Sequence, residues 1–235
     1  MKRQVTLVVV MGLAFAGFMS GQVAGQKKPA PQKASQPLAT LLDEMFDLSN
    51  FIEIEMHLKE FLGLFMEHFA RKGKDLPILV DAQAFESENP DAEKFYDTVI
   101  KFPSFPKRQK AGMVLRFALS KVRSGNATYL LRGGVIEITT HERAKPESLL
   151  RYPIIARFNK RPLDEAIDEL SDLSGATILI DSRLGEKAKT TVSAFFKNTV
   201  TLESAVRVLA EMADLHAEVR DNILFVTGKA ETEDE

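Results

Sequence analysis

Two stretches of the chain read as the same β-hairpin. Tyr129-Leu130-Leu131-Arg132-Gly133-Gly134-Val135-Ile136-Glu137-Ile138-Thr139 and Ala217-Glu218-Val219-Arg220-Asp221-Asn222-Ile223-Leu224-Phe225-Val226-Thr227 align without a gap. Each carries an Arg, a two-residue turn, a β-branched residue and a closing apolar-Thr pair. Gly133-Gly134 supplies the positive backbone angles that a tight hairpin turn needs, and Asp221-Asn222 fills the same place in the second copy. Upstream of each hairpin the same order of elements recurs, so the chain is constrained to two small modules rather than one continuous sheet.

The second module is the plainer of the two. Ile154, Ala156 and Phe158 alternate with Ile155, Arg157 and Asn159, the period of a half-buried strand over residues 153–158. Pro162 sits where the first turn of a helix tolerates it, and Leu163, Ala166, Ile167 and Leu170 follow at helical spacing. Ser174-Gly175 ends that helix, because Gly accommodates the left-handed closing residue. Thr177 to Ile180 is a continuous apolar run, expected in the middle of a sheet. Thr191 to Phe196 gives a further strand with Val192, Ala194 and Phe196 on one face. Thr201 then caps a second helix whose inward stripe is Leu202, Ala205, Val206, Leu209 and Met212.

The first module repeats this order with longer connections. Leu58-Lys59-Glu60-Phe61-Leu62 followed by Phe65 matches Leu163 to Ile167 followed by Leu170, and Pro77 to Asp81 matches Thr177 to Asp181. Leu115, Ala118, Leu119 and Val122 match Leu202, Ala205, Val206 and Leu209. An extra helical turn carries Met66 and Phe69, and residues 86–97 are a polar insertion. Residues 38–56 read as a short helix followed by the module's first strand. Each module is expected to place two helices against small sheets in the order β-α-β-β-α-β-β, an α+β fold.

The flanks set the expected compartment. Lys2 and Arg3, the apolar run Val5 to Met19 and the small residues Val23-Ala24-Gly25 read as a signal peptide over residues 1–25. Residues 26–37 follow as a polar, Pro-rich tether, residues 38–144 as the first module, 145–152 as a linker, 153–228 as the second module and 229–235 as an acidic tail. With no Cys, neither a disulfide framework nor a Cys-based lipid anchor or metal cluster is open to the chain. Together these predict export to the periplasm or envelope of a bacterium. Removing the signal takes away only Lys2 and Arg3, leaving 29 basic against 33 acidic side chains, a formal charge of -4. Such a balance lacks the basic footprint of a nucleic-acid binder.

Several residues invite chemistry. His57 and His68 would share a face of one unbroken helix, but they lack the three or four convergent ligands of a zinc site. The acidic run Asp164, Glu165, Asp168, Glu169 and Asp172 follows the polar side of an amphipathic helix. Asp81 and Asp181 end equivalent strands, where Asp bonds its own following backbone. Lys107, Arg108 and Lys110 form a basic loop suited to an acidic partner or to peripheral contact with anionic lipid, as well as to plain solvation. Asn126-Ala127-Thr128 is a formal glycosylation sequon that reads more simply as a turn. The chain has no His-Glu-x-x-His, no phosphate-cradling Gly-rich loop, no Gly-x-Ser-x-Gly elbow and no Cys nucleophile. No catalytic, cofactor-binding or metal-binding residue is therefore expected.

The residues also resemble a known family. Phe158-Asn159-Lys160-Arg161-Pro162-Leu163-Asp164-Glu165-Ala166-Ile167, then Ile178-Leu179-Ile180-Asp181, Val192-Ser193-Ala194-Phe195-Phe196 and Leu202-Glu203-Ser204-Ala205-Val206, are similar to the short N-terminal domain shared by secretins and TonB-dependent signalling receptors. The likeness covers Pro153 to Thr227 well and Phe51 to Thr140 more loosely. It implies a periplasmic module that docks other envelope proteins, such as a membrane platform or signalling component. Neither a membrane β-barrel nor a secretin ring-forming domain follows Thr227, so the resemblance implies a stand-alone exported interaction protein. A site between the modules, for a ligand or a reaction, and a structural homo-oligomer are the alternatives. Partner binding is expected on the strand edge at Thr191, Ser193 and Phe195, because Phe195 lies opposite the inward residues and has no core role.

Overall fold

A computed structural model describes residues 37–229 except 89, 91–93, 105 and 123–126, and except the side chains of 198 and 199. The expected signal peptide, all of the tether but its last residue, and the acidic tail after Lys229 lie outside these residues, as does Asn126 of the sequon. The fold is α+β.

The first module opens with α1 (Leu38–Leu42) and β1 (Met45–Asp47), then β2 (Glu55–His57) and α2 (Leu58–Ala70). It continues through β3 (Ile78–Val80), α3 (Ala82–Glu88), a 3-10 turn (Phe95–Asp97), β4 (Val99–Lys101), β5 (Arg108–Lys110), α4 (Ala111–Leu119), β6 (Ala127–Arg132) and β7 (Val135–Thr140). After α5 (Pro146–Leu150) the second module runs β8 (Pro153–Pro162), α6 (Leu163–Ser174), β9 (Ile178–Ile180), a 3-10 segment (Ser182–Lys189), β10 (Thr191–Thr201), α7 (Leu202–Met212), β11 (Leu215–Arg220) and β12 (Ile223–Gly228).

In the second module an antiparallel β8–β10 ribbon and a mixed sheet ordered β11-β12-β9 contribute to one core with α6 and α7. The helices form because their apolar residues fall on one stripe. Leu163, Ala166, Ile167 and Leu170 of α6, and Leu202, Ala205, Val206 and Leu209 of α7, are all buried. Gly175 closes α6 at φ +73°, donating its N–H to Ser171 O at 2.8 Å. Thr201 caps α7, its Oγ1 accepting from the Ser204 N–H at 3.2 Å. Asp221 and Asn222 turn the last hairpin at φ +49° and +64°, the two positive angles of a tight primed turn.

The first module repeats this plan in a broken form. Its mixed sheet is β3-β7-β6, with β3 parallel to β7 as β9 is to β12. Its ribbon is split in two: β1 pairs β5 and β2 pairs β4, with, among the described residues, only the Ile52–Phe102 bridge between. Phe61, Phe65 and Phe69 recur every fourth residue on α2 and share the interior with Phe46, Phe51 and Phe102, ring centroids lying 5.2 to 6.4 Å apart. The second core is mostly aliphatic, with Phe158 and Phe196 its buried rings.

Five expectations change. The apolar run expected in the middle of a sheet forms the edge strand β9, which among the described residues pairs only with β12 and points Leu179 outward. Met212 is exposed rather than inward, since α7 ends there and Ala213 takes the buried place. The counterpart of Leu202 is Ala111 and not Leu115: α4 starts directly after β5 as α7 starts directly after β10, one helical turn earlier than the sequence match. The stretch read as a linker contains α5, whose Leu149 and Leu150 are buried in the second core. The polar insertion likewise gives Phe95 to the interior, stacked on Phe85 at 4.8 Å.

The modules meet through β6. Tyr129 and Leu131 pack on the first core, while Leu130 packs on the second. The Gly133 N–H donates to Asp172 O at the end of α6 at 2.8 Å, and the Arg132 guanidinium lies 4.4 Å from the Tyr152 ring centre. Arg132 also forks onto Glu137, with only 14 % and 10 % of the two side chains exposed.

Candidate functional site

The β8–β10 ribbon is the longest strand pair among the described residues, and its sequence explains its geometry. Phe158 and Ala194 face inward as a pair, as do Ala156 and Phe196, and Ile154 and Val200. Between Val192 and Ala194 the register shifts, because β8 carries one extra residue there, Asn159 and Lys160 lying opposite the single Ser193. Lys160 adopts φ +47° at this bulge, and its N–H, turned out of the ladder, donates to Ser193 Oγ at 2.8 Å. Among the described residues β10 has no ladder besides that with β8, so its other edge is open.

Of the three expected binding residues, Thr191 is exposed near the start of β10, opposite Pro162. Ser193 is exposed but serves the bulge. Phe195 is 58 % exposed and pairs across the ribbon with Arg157, whose guanidinium lies 5.1 Å from the ring centre. Ile155 stands on the same outer face, 67 % exposed. The sequence placed Phe195 correctly but missed Arg157 as its partner. Alternation puts both residues on outward faces; only the bulged register sets them opposite each other.

The other candidates resolve into structural roles. His57 precedes α2 as its N-cap residue rather than lying within it, and its Nδ1 donates to the Asp97 carbonyl at 3.0 Å. His68 packs on Phe46 at 4.6 Å between ring centres, with Nε2 buried and without a hydrogen-bond partner. Burial first, then the charge of Lys72, holds its imidazole pKa below the ordinary value, against the opposing pull of Asp47 and Glu44. Among the described residues no three His, Cys, Asp or Glu side chains converge as metal ligands would. In the acidic run, Glu165 and Glu169 are both held by Arg161.

Asp81 and Asp181 cap the turns after their strands, accepting from the Ala84 N–H at 3.1 Å and the Arg183 N–H at 2.9 Å. Hydrogen bonds from Arg183 hold the Asp181 carboxyl at a pKa of about 2. The basic loop is in fact strand β5 for Arg108 to Lys110, with Lys110 paired to Asp43 at 2.8 Å. A shallow groove of about 1060 Å³ lies on the outer face of β11-β12-β9, lined by Leu179, Phe225 and the pairs Asp181–Arg183 and Glu218–Arg220. No helix among the described residues is long and apolar enough to cross a membrane.

Comparison with protein-family models, with curated proteins and with solved structures gives no match.

Proposed function

We propose that the chain is an exported bacterial envelope protein that docks other proteins and has no catalytic activity, its modules being relatives of the short N-terminal domain of secretins and TonB-dependent signalling receptors. The observation that carries this reading is the β8–β10 ribbon. It is a two-stranded sheet with an open β10 edge and a solvent-facing Phe195 that contributes nothing to the core. An open edge offers unpaired backbone groups to an added strand, and an exposed ring offers it an apolar anchor. The repeated order of elements, with two helices between a ribbon and a three-stranded mixed sheet, supports the family reading. The tight junction at β6 favours docking over a ligand site between the modules, because Leu130, Arg132 and Glu137 fill that space.

The test is affinity capture from envelope fractions with residues 26–235 as bait, alongside the Phe195→Ser variant. Because Phe195 is outward, the substitution is expected to change stability by no more than about 0.5 kcal/mol. The reading predicts that at least one captured protein is lost with Phe195→Ser while the unfolding midpoint holds. An identical captured set from both baits would sink it.

A further inference from the structure

We propose that the outer face of the β8–β10 ribbon receives an extended, acidic segment of a partner protein, with Arg157 as the central carboxylate-binding group. This rests on the docking reading of β10 and adds the chemistry of what docks there. The two strands, 10 and 11 residues long, contain Arg157, Lys160, Arg161 and Lys197 and no Asp or Glu, in a chain of net charge -2. Arg161 is occupied by Glu165 and Glu169. Among the described residues Arg157, Lys160 and Lys197 form no ion pair, and all three are exposed.

The Arg157–Phe195 stack decides what kind of anion fits. With the guanidinium 5.1 Å from the ring centre and without a carboxylate partner among the described residues, its forked N–H groups remain available. That fork matches a carboxylate bidentately and has lost part of its freedom before binding. The same contact sets a charge beside Phe195, whose ring stays 58 % exposed, which suits insertion into lipid poorly and suits an apolar side chain sliding alongside the ring. Ile155, beside Arg157 on the outer face, gives such a side chain a second contact. The open β10 edge supplies backbone donors and acceptors that a protein strand satisfies and a membrane surface does not. An acidic strand that carries both carboxylates and apolar side chains on its outward-facing positions fits all of these features.

The test is fluorescence anisotropy with the full chain and three labelled peptides of about ten residues, in which every second residue is Thr and the residues between, all on one face, are Val in turn with Glu, with Lys or with Thr. The Glu peptide is expected to bind at least about tenfold more tightly than the Thr peptide. Its affinity should fall as salt rises from ~50 to ~300 mM, since exposed charges are screened. Arg157→Glu should abolish that preference and favour the Lys peptide, whereas Arg157→Lys should weaken Glu-peptide binding partially. Equal binding of Glu and Thr peptides overturns the acidic chemistry while leaving docking at β10 intact. Glu-peptide binding that ignores both Arg157→Glu and Phe195→Ser overturns the site. Arg157-dependent binding to phosphatidylglycerol vesicles but to no peptide overturns the proposal in favour of a membrane face.

Discussion

His68 is a half-buried titratable group against the rings of Phe46 and Phe69, and its consequence is dependence on pH. Burial holds the folded pKa below the ordinary imidazole value of 6.5. Well above 6.5 both folded and unfolded chains carry a neutral ring, and the contribution to stability is complete. As pH falls through 6.5 the unfolded chain takes up a proton that the folded chain still refuses, so stability is lost on the acid side. Urea midpoints at pH 8, 6 and 5 should therefore decline towards acid. His68→Phe, which keeps a ring against Phe46 and removes a buried nitrogen without a partner, should flatten that decline. A decline of unchanged steepness in His68→Phe would assign it to other groups. None of this is legible in the spacing of His57 and His68. The spacing suggested a shared helix face, but the helix starts after His57, and what surrounds His68 comes from Phe46, distant in sequence.

At the scale of elements, the junction strand β6 gives the sharpest prediction. Arg132 and Glu137 are ion-paired and almost wholly enclosed. Removing one partner leaves the other charge buried alone, so Arg132→Ala is expected to cost about 3 kcal/mol by chemical denaturation. Replacing both, as Arg132→Met with Glu137→Leu, should recover most of that loss. A double variant no better than the single one would show that stacking of Arg132 on Tyr152 matters more than the charge pair.

The sequence carried most elements of the second module: the α6 stripe, the α7 stripe as far as Leu209, the Thr201 cap, the Gly175 terminus and the hairpin turn are local signals. What it did not carry depends on pairing. β9 is apolar throughout yet lies at an edge, and a pattern of hydrophobicity does not say how many neighbours a strand has. The candidate site was half legible for the same reason. Outward Phe195 follows from alternation, whereas its Arg157 partner depends on a bulge held by the Lys160 N–H and Ser193 Oγ.

At the scale of the whole molecule, two cores share a strand and belong to one compact unit. Phe65→Ala in the first core and Leu209→Ala in the second should each cost roughly 3 kcal/mol. Because Leu130 belongs to one interior and Leu131 to the other, either lesion is expected to give a single, earlier unfolding transition. Hydrogen exchange should accelerate in β6 for both variants. Two separable transitions, with β6 protected in Leu209→Ala, would instead mean that the modules fold independently.

The shared strand also bears on how the protein is made. A ribosome delivers the first module up to Thr140 before the residues that cover its hairpin exist. Leu130 stays bare, and Arg132 is met only by Glu137 of its own hairpin, until Tyr152 and the end of α6 have emerged. Through that interval the nascent chain displays a half-finished surface, one that the arrival of Gly175 takes away.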